Sequence, residues 1–83
     1  MAACCYLLYS LKLDKYYVGS TSDIIRRLEE HNRGKEKFTR TGLPWDLVYQ
    51  ESFDELHAAR SREAYIKKQK SRKFIETLIR SVG

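Results

Sequence analysis

Three side chains sit against the hydrophobic pattern of the segments that carry them, and each could do chemistry. In KYYVGSTSDIIRRLEEHNRG, residues 15–34, a helical projection at about 100° per residue gathers Ile24, Leu28 and His31 on one stripe. Arg27 falls at the edge of that stripe, while Arg26 falls nearly opposite, toward solvent. A guanidinium held at such an edge suits a phosphate, which it can grip through two parallel hydrogen bonds. Equally, it can lay its stem on the core and keep its head in water. Arg26 is placed to pair with Glu30 one turn on, an ordinary surface contact. His31 shares the Arg27 face, where it can touch a phosphate, accept a proton or serve as a satisfied structural histidine. Farther along, Leu56, Ala59 and Ile66 form a second stripe with Glu63 in its middle. Carboxylates are almost never buried unpaired. Lys67, four residues on, can satisfy Glu63 as a structural ion pair; alternatively the carboxylate can hold a hard cation such as Mg²⁺.

The chain has six tyrosines, and Tyr6, Tyr9, Tyr16, Tyr17 and Tyr49 all fall on expected strands, where the residue type is favoured. Most must be core or half-buried. A catalytic tyrosine would need its phenol placed to accept a proton during reaction, and the pattern alone selects none of them. Residues 35–44, KEKFTRTGLP, form a basic loop. Lys35, Lys37, Thr39, Arg40 and Thr41 offer phosphate donors there, with Phe38 and Trp45 as stacking surfaces; such loops are also commonly just solvated.

The elements that must position these groups follow from periodicity. Residues 3–10 are almost continuously apolar or aromatic, as suits a strand covered on both faces. A hairpin leads to a second strand around Tyr16 to Gly19. Ser22 or Asp23 can cap a first helix, which Gly34 closes. WDLVYQES makes a third strand, with Leu47 and Tyr49 on one face and Val48 on the other. Asp54 is expected to cap a second helix over residues 55–69. Ser71 opens a third, with Phe74, Ile75, Leu78, Ile79 and Val82 as its apolar stripe. The order ββαβαα describes an α+β domain on a small antiparallel or mixed sheet.

Eighty-three residues suit one domain, 1–83, with a small core. A formal charge of +5 and a pI near 9.4 are consistent with a polyanionic partner, most simply nucleic acid. No apolar run is long enough to span a bilayer, and the N-terminal residues lack the charged start of a signal peptide; the chain is read as cytoplasmic. Cys4 and Cys5 are adjacent, so on a strand they point to opposite faces and do not suit a disulfide with each other. They also make a poor pair for a Cys₂His₂ zinc site.

CCYLLYSLKLDKYYVGSTSDIIRRLEEHNRG resembles the GIY-YIG nuclease domain. CCY at positions 4–6 stands for the first signature element, YVG at 17–19 for the second, and Arg27 then His31 for the helical positions. SREAYIK resembles the segment bearing the family's metal-binding glutamate, which falls on Glu63. The resemblance implies a three-stranded antiparallel sheet flanked by three helices, and hydrolysis of DNA phosphodiesters with one divalent metal, Mg²⁺ or Mn²⁺. Under it, Tyr6 and Tyr17 sit beside the scissile phosphate, where one helps activate the attacking water. Arg27 neutralises developing charge, and Glu63 holds the metal. His31 is auxiliary in catalysis, and Lys35, Lys37, Arg40 and Lys67 are contacts for DNA. The products would be a 5′-phosphate and a 3′-hydroxyl. Preference for branched or damaged DNA in repair or recombination is within this expectation, as is a second copy or partner protein supplying specificity. The alternative is a nucleic-acid-binding module of the same fold that cleaves weakly or not at all. Two departures stand out: Cys4 and Cys5 replace the first Gly and Ile, and no asparagine follows Glu63, since Asn32 is the only one in the chain.

Overall fold

The structure is a computed structural model describing residues 2–35, 37 and 39–82. Strand β1 (Ala3–Ser10) lies at its centre, and the sequence ACCYLLYS explains why. Every residue from Ala3 to Leu8 is buried, as an unbroken apolar run requires. β1 pairs antiparallel with β2 (Lys15–Thr21) on one side and with β3 (Trp45–Phe53) on the other, giving the strand order β2-β1-β3. Helices α1 (Ile24–Asn32), α2 (Leu56–Gln69) and α3 (Arg72–Val82) complete the order ββαβαα, with a short 3₁₀ turn at Arg40–Gly42 ahead of β3. This is the α+β fold expected from periodicity.

Alternation along β1 splits the core between the two faces of the sheet. Cys4, Tyr6 and Leu8 pack with Trp45 and with Ile24 and Leu28 of α1. Cys5 and Leu7 pack with Val18, with Ile66 of α2, and with Phe74, Ile75, Leu78 and Ile79 of α3. The two cysteines are buried and free, one on each face.

The third strand departs from simple alternation. Leu47 stands opposite Leu8 and Tyr49 opposite Leu7, so Val48 is an extra residue in the ladder. This β-bulge turns the strand over. Leu47 packs on the α1 face, while Val48 and Tyr49 both pack on the other. The expected pairing of Leu47 with Tyr49 on one face is therefore wrong. Strict period-two reading cannot see an unpaired residue.

Helix ends follow local chemistry. Asp23 caps α1 by accepting from the Arg26 N–H at 3.1 Å. Gly34, at φ 77°, closes it, with Gly34 N–H donating to His31 O and Lys35 N–H to Glu30 O, the paired bonds of a Schellman end. Asp54 does not cap α2: the helix starts one residue later, behind Glu55, whose carboxylate pairs with His57 at 2.9 Å instead of with the backbone. Ser71 caps α3 through the Phe74 N–H.

The basic loop is anchored at Thr39 and Gly42. Ser10 Oγ donates to Gly42 O at 2.6 Å and accepts from Leu13 N at 3.1 Å. Asn32 clamps Trp45 by accepting from its N–H at 2.7 Å and donating to its carbonyl at 3.1 Å. Trp45 Nε1 donates to Thr39 O at 2.6 Å. Phe38, expected as a stacking surface, lies outside the described residues. No helix among the described residues is long and apolar enough to cross a membrane.

Candidate active site

The site begins with a tyrosine lying across a glycine. Tyr6 of β1 is 1% exposed, and its neighbour on β2 is Gly19. A Cβ on Gly19 would stand 2.5 Å from Tyr6 Oη and 2.6 Å from its Cζ. Only glycine leaves room for the phenol to reach from the central strand to the edge strand. Tyr17, two residues earlier on β2 and on the same face, brings its ring centroid to 6.4 Å from that of Tyr6.

Helix α1 supplies the partners of this phenol. His31 is fully buried; its Nε2 lies 3.1 Å from Tyr6 Oη and its Nδ1 3.2 Å from Thr39 Oγ1. The His31 ring also meets Tyr17 edge-on at 4.9 Å. Its surroundings are thus a tyrosine and the buried loop threonine rather than solvent. Thr39, expected among the phosphate donors, is 1% exposed and occupied with His31 and Trp45. Arg27 leaves 28% of its side chain exposed against 75% for Arg26, so the helical projection separates the two as expected. Both reach Glu30, Arg27 at 3.2 Å and Arg26 at 3.4 Å. Burial pushes the Tyr6 phenol up to about 12, opposed by its hydrogen bond from Arg27 and reinforced by Tyr17 and Glu63. Its resting form is the neutral phenol.

Glu63 approaches from the other face of the sheet. Ala59 and Ile66, on the same stripe of α2, are 0% and 1% exposed, which directs the carboxylate between them onto β2. There Ser20 Oγ donates to Oε1 at 2.5 Å, and Lys67 Nζ donates to Oε2 at 2.6 Å. Ser20 neighbours Gly19, so the carboxylate and the Tyr6 phenol meet around one short piece of the edge strand. Ser20 was missed as a partner of Glu63, although alternation from Val18 puts it on the α2 side.

The remaining cations lie apart from this cluster in the chain. Lys35, Lys37 and Arg40 are exposed on the loop that follows α1, with Arg40 Nε donating to Gly34 O at 2.9 Å. Lys67 stands on α2, beside the carboxylate.

A model of the GIY-YIG catalytic domain matches residues 2–76. The chain belongs to the GIY-YIG family. The family's domain is of the nuclease kind. UPF0213 proteins of Streptococcus pyogenes serotype M5 (strain Manfredo) and serotype M1 are each 51% identical to it over 57 residues, 68% of this chain and 62% of theirs. The chain thus matches under two thirds of the length of these relatives. The solution NMR structure of the UPF0213 protein BH0048 from Bacillus halodurans is 35% identical, with a TM-score of 0.56 over 95% of this chain and 83% of that one.

GIY-YIG nucleases generally use a divalent metal, and Glu63 can be tested as a ligand for one. Among the described residues no group of three or more His, Cys, Asp or Glu side chains could hold an ion, which does not suit a structural zinc centre. A single carboxylate beside a hydroxyl does suit Mg²⁺, which is bound by one or two carboxylates and completed by water and substrate phosphate. Lys67 shares the carboxylate.

Proposed function

We propose that this GIY-YIG protein is a DNA endonuclease that hydrolyses phosphodiester bonds with Mg²⁺ or Mn²⁺ at Glu63. The observation that carries the reading is the buried phenol of Tyr6, held between Arg27 and His31 Nε2 over a glycine that accepts no side chain. Structural packing alone does not require a polar group so exactingly surrounded in so small a core.

The chemistry follows from the partners of that phenol. With Arg27 donating into Oη, the hydroxyl hydrogen is directed to His31 Nε2, and the His31 Nδ1–H to Thr39 Oγ1. As water attacks phosphorus, its proton passes to Tyr6 Oη while the phenol's own proton passes to His31. A free phenolate, disfavoured by burial, is never formed. Arg27 stabilises negative charge on the phosphoryl oxygens. Tyr17 closes the other side of the His31 ring and orients the water. A divalent ion held at Glu63 would supply Lewis-acid polarisation of the phosphate and stabilisation of charge on the leaving oxygen. A proton from solvent completes the 3′-hydroxyl, leaving a 5′-phosphate on the other fragment, and His31 returns its proton through Tyr6 Oη to solvent as the products leave.

One observation favours a second reading, a nucleic-acid-binding module of weak or no activity: Lys67 already satisfies Glu63 Oε2. Nicking of supercoiled plasmid decides between them, with wild type and Glu63→Ala each in Mg²⁺, Mn²⁺ and EDTA. Metal-dependent nicking lost in the variant supports the nuclease. Salt-sensitive DNA binding without nicking by either protein supports the module.

A further inference from the structure

A pocket of about 310 Å³ lies where β2, α2 and α3 meet. Val18, Ile66 and Ile75 form its apolar floor, and Lys15, Lys67, Lys70 and Arg72 stand around it. The rim cations are not equivalent. Arg72 is committed to Asp14 at 2.7 Å and Glu76 at 3.1 Å, and its guanidinium lies over the Tyr16 ring at 5.3 Å. Asp14, the acidic group on the rim, is neutralised by that pairing. Lys15 and Lys70 are exposed and make no ion pair with a described residue. Lys67 belongs both to this rim and to Glu63.

We propose that this pocket takes one unpaired nucleotide of a nucleic-acid strand, with its base on Val18, Ile66 and Ile75 and its phosphate on Lys15 and Lys70. The volume is at the lower end of the ~300–1,000 Å³ typical of ligand pockets, room for one nucleotide but not for a duplex. An apolar floor with surplus positive charge matches a flat base joined to an anion, and a base reaches such a floor only when it has left the stack. Lys67 makes the pocket continuous with the carboxylate assigned above to the metal. The inference rests on the nuclease reading for its strand: a nucleotide held here would flank the bond being cut, and unpaired DNA would be preferred.

The test is a titration of the full chain, methyl-labelled for NMR, with a short single-stranded oligonucleotide in EDTA, where cleavage plays no part. The expected result is movement of the Val18, Ile66 and Ile75 methyl signals. A sugar–phosphate strand of the same length without bases should leave those methyls in place. The double variant Lys15→Ala/Lys70→Ala should bind the oligonucleotide about tenfold more weakly at low salt, the scale of two lost phosphate contacts, and lose part of its preference over duplex. Three results would overturn the pocket: methyls unmoved while other surfaces respond, equal losses for strand and duplex, or methyls moved by an acidic peptide but not by the strand. Because no metal is present, a protein without nuclease activity can still pass. A protein that nicks DNA yet shows unmoved methyls refutes the pocket alone.

Discussion

At the scale of single residues, Gly19 is the position with least freedom. Gly19→Ala places a methyl 2.5 Å from Tyr6 Oη, and the phenol must leave its place between Arg27 and His31. Overpacking of this kind costs about 1–3 kcal/mol, so the variant should fold, melt lower and lose nicking. Retained nicking would detach the Tyr6 phenol from the reaction. The arginine pair gives a sharper contrast. Arg27→Ala should lower the rate about 100–1,000-fold, the scale of removing one charge-stabilising donor, while Arg26→Ala should change it only a few-fold. Equal effects in kinetic assays would show that sharing Glu30 matters more than the face each arginine occupies. The positions of Arg27, at the edge of one apolar stripe, and of Glu63, within another, are legible in the sequence because each departs from the pattern of its own helix. The bond from His31 to Thr39 was not, since it joins α1 to a loop whose path no local pattern fixes.

The elements themselves were largely readable: a doubly buried strand, a glycine-closed helix and two further helices each have a periodic signature. Their irregularities were not. The bulge at Val48 arises from pairing with β1, a partner remote in sequence. The start of α2 falls behind Glu55, whose carboxylate holds His57 and not the backbone. Asn32 illustrates how such long-range ties hold elements together. In sequence it is notable only as the chain's lone asparagine; in the fold it binds the end of α1 to the start of β3 through both backbone groups of Trp45. Asn32→Ala should cost about 1–3 kcal/mol for the two bonds. Thermal denaturation should show the loss, and nicking measured well below the melting temperature should persist.

For the molecule as a whole, the buried ionisable groups of β1 set an alkaline limit. Burial raises the Cys5 thiol from 9.0 to about 12, with Glu51 and Glu63 adding to it, and the Tyr6 phenol likewise from 10.0 to about 12. In the unfolded chain both lose their protons earlier than in the folded one. Stability is therefore fully present below about pH 9 and falls as pH rises through 9 to 12, because the unfolded state then binds fewer protons. Melting temperatures recorded across that range should decline, and less steeply in Cys5→Ala. An unchanged slope in that variant would assign the effect to the tyrosines. The charge of +5 acts at the same scale: DNA binding should weaken steeply with added salt.

The bulge in β3 also works like a shifted reading frame. Trp45 and Leu47 are written in one phase of the strand, and Tyr49 and Phe53 in the other, with Val48 as the extra letter between them. Deleting Val48 alone would restore a regular ladder with every remaining side chain on its own face. Deleting Asp46 would turn Trp45 out of the cluster it shares with Tyr6. A strand of nine residues thus has one place where its length can be edited without changing its meaning.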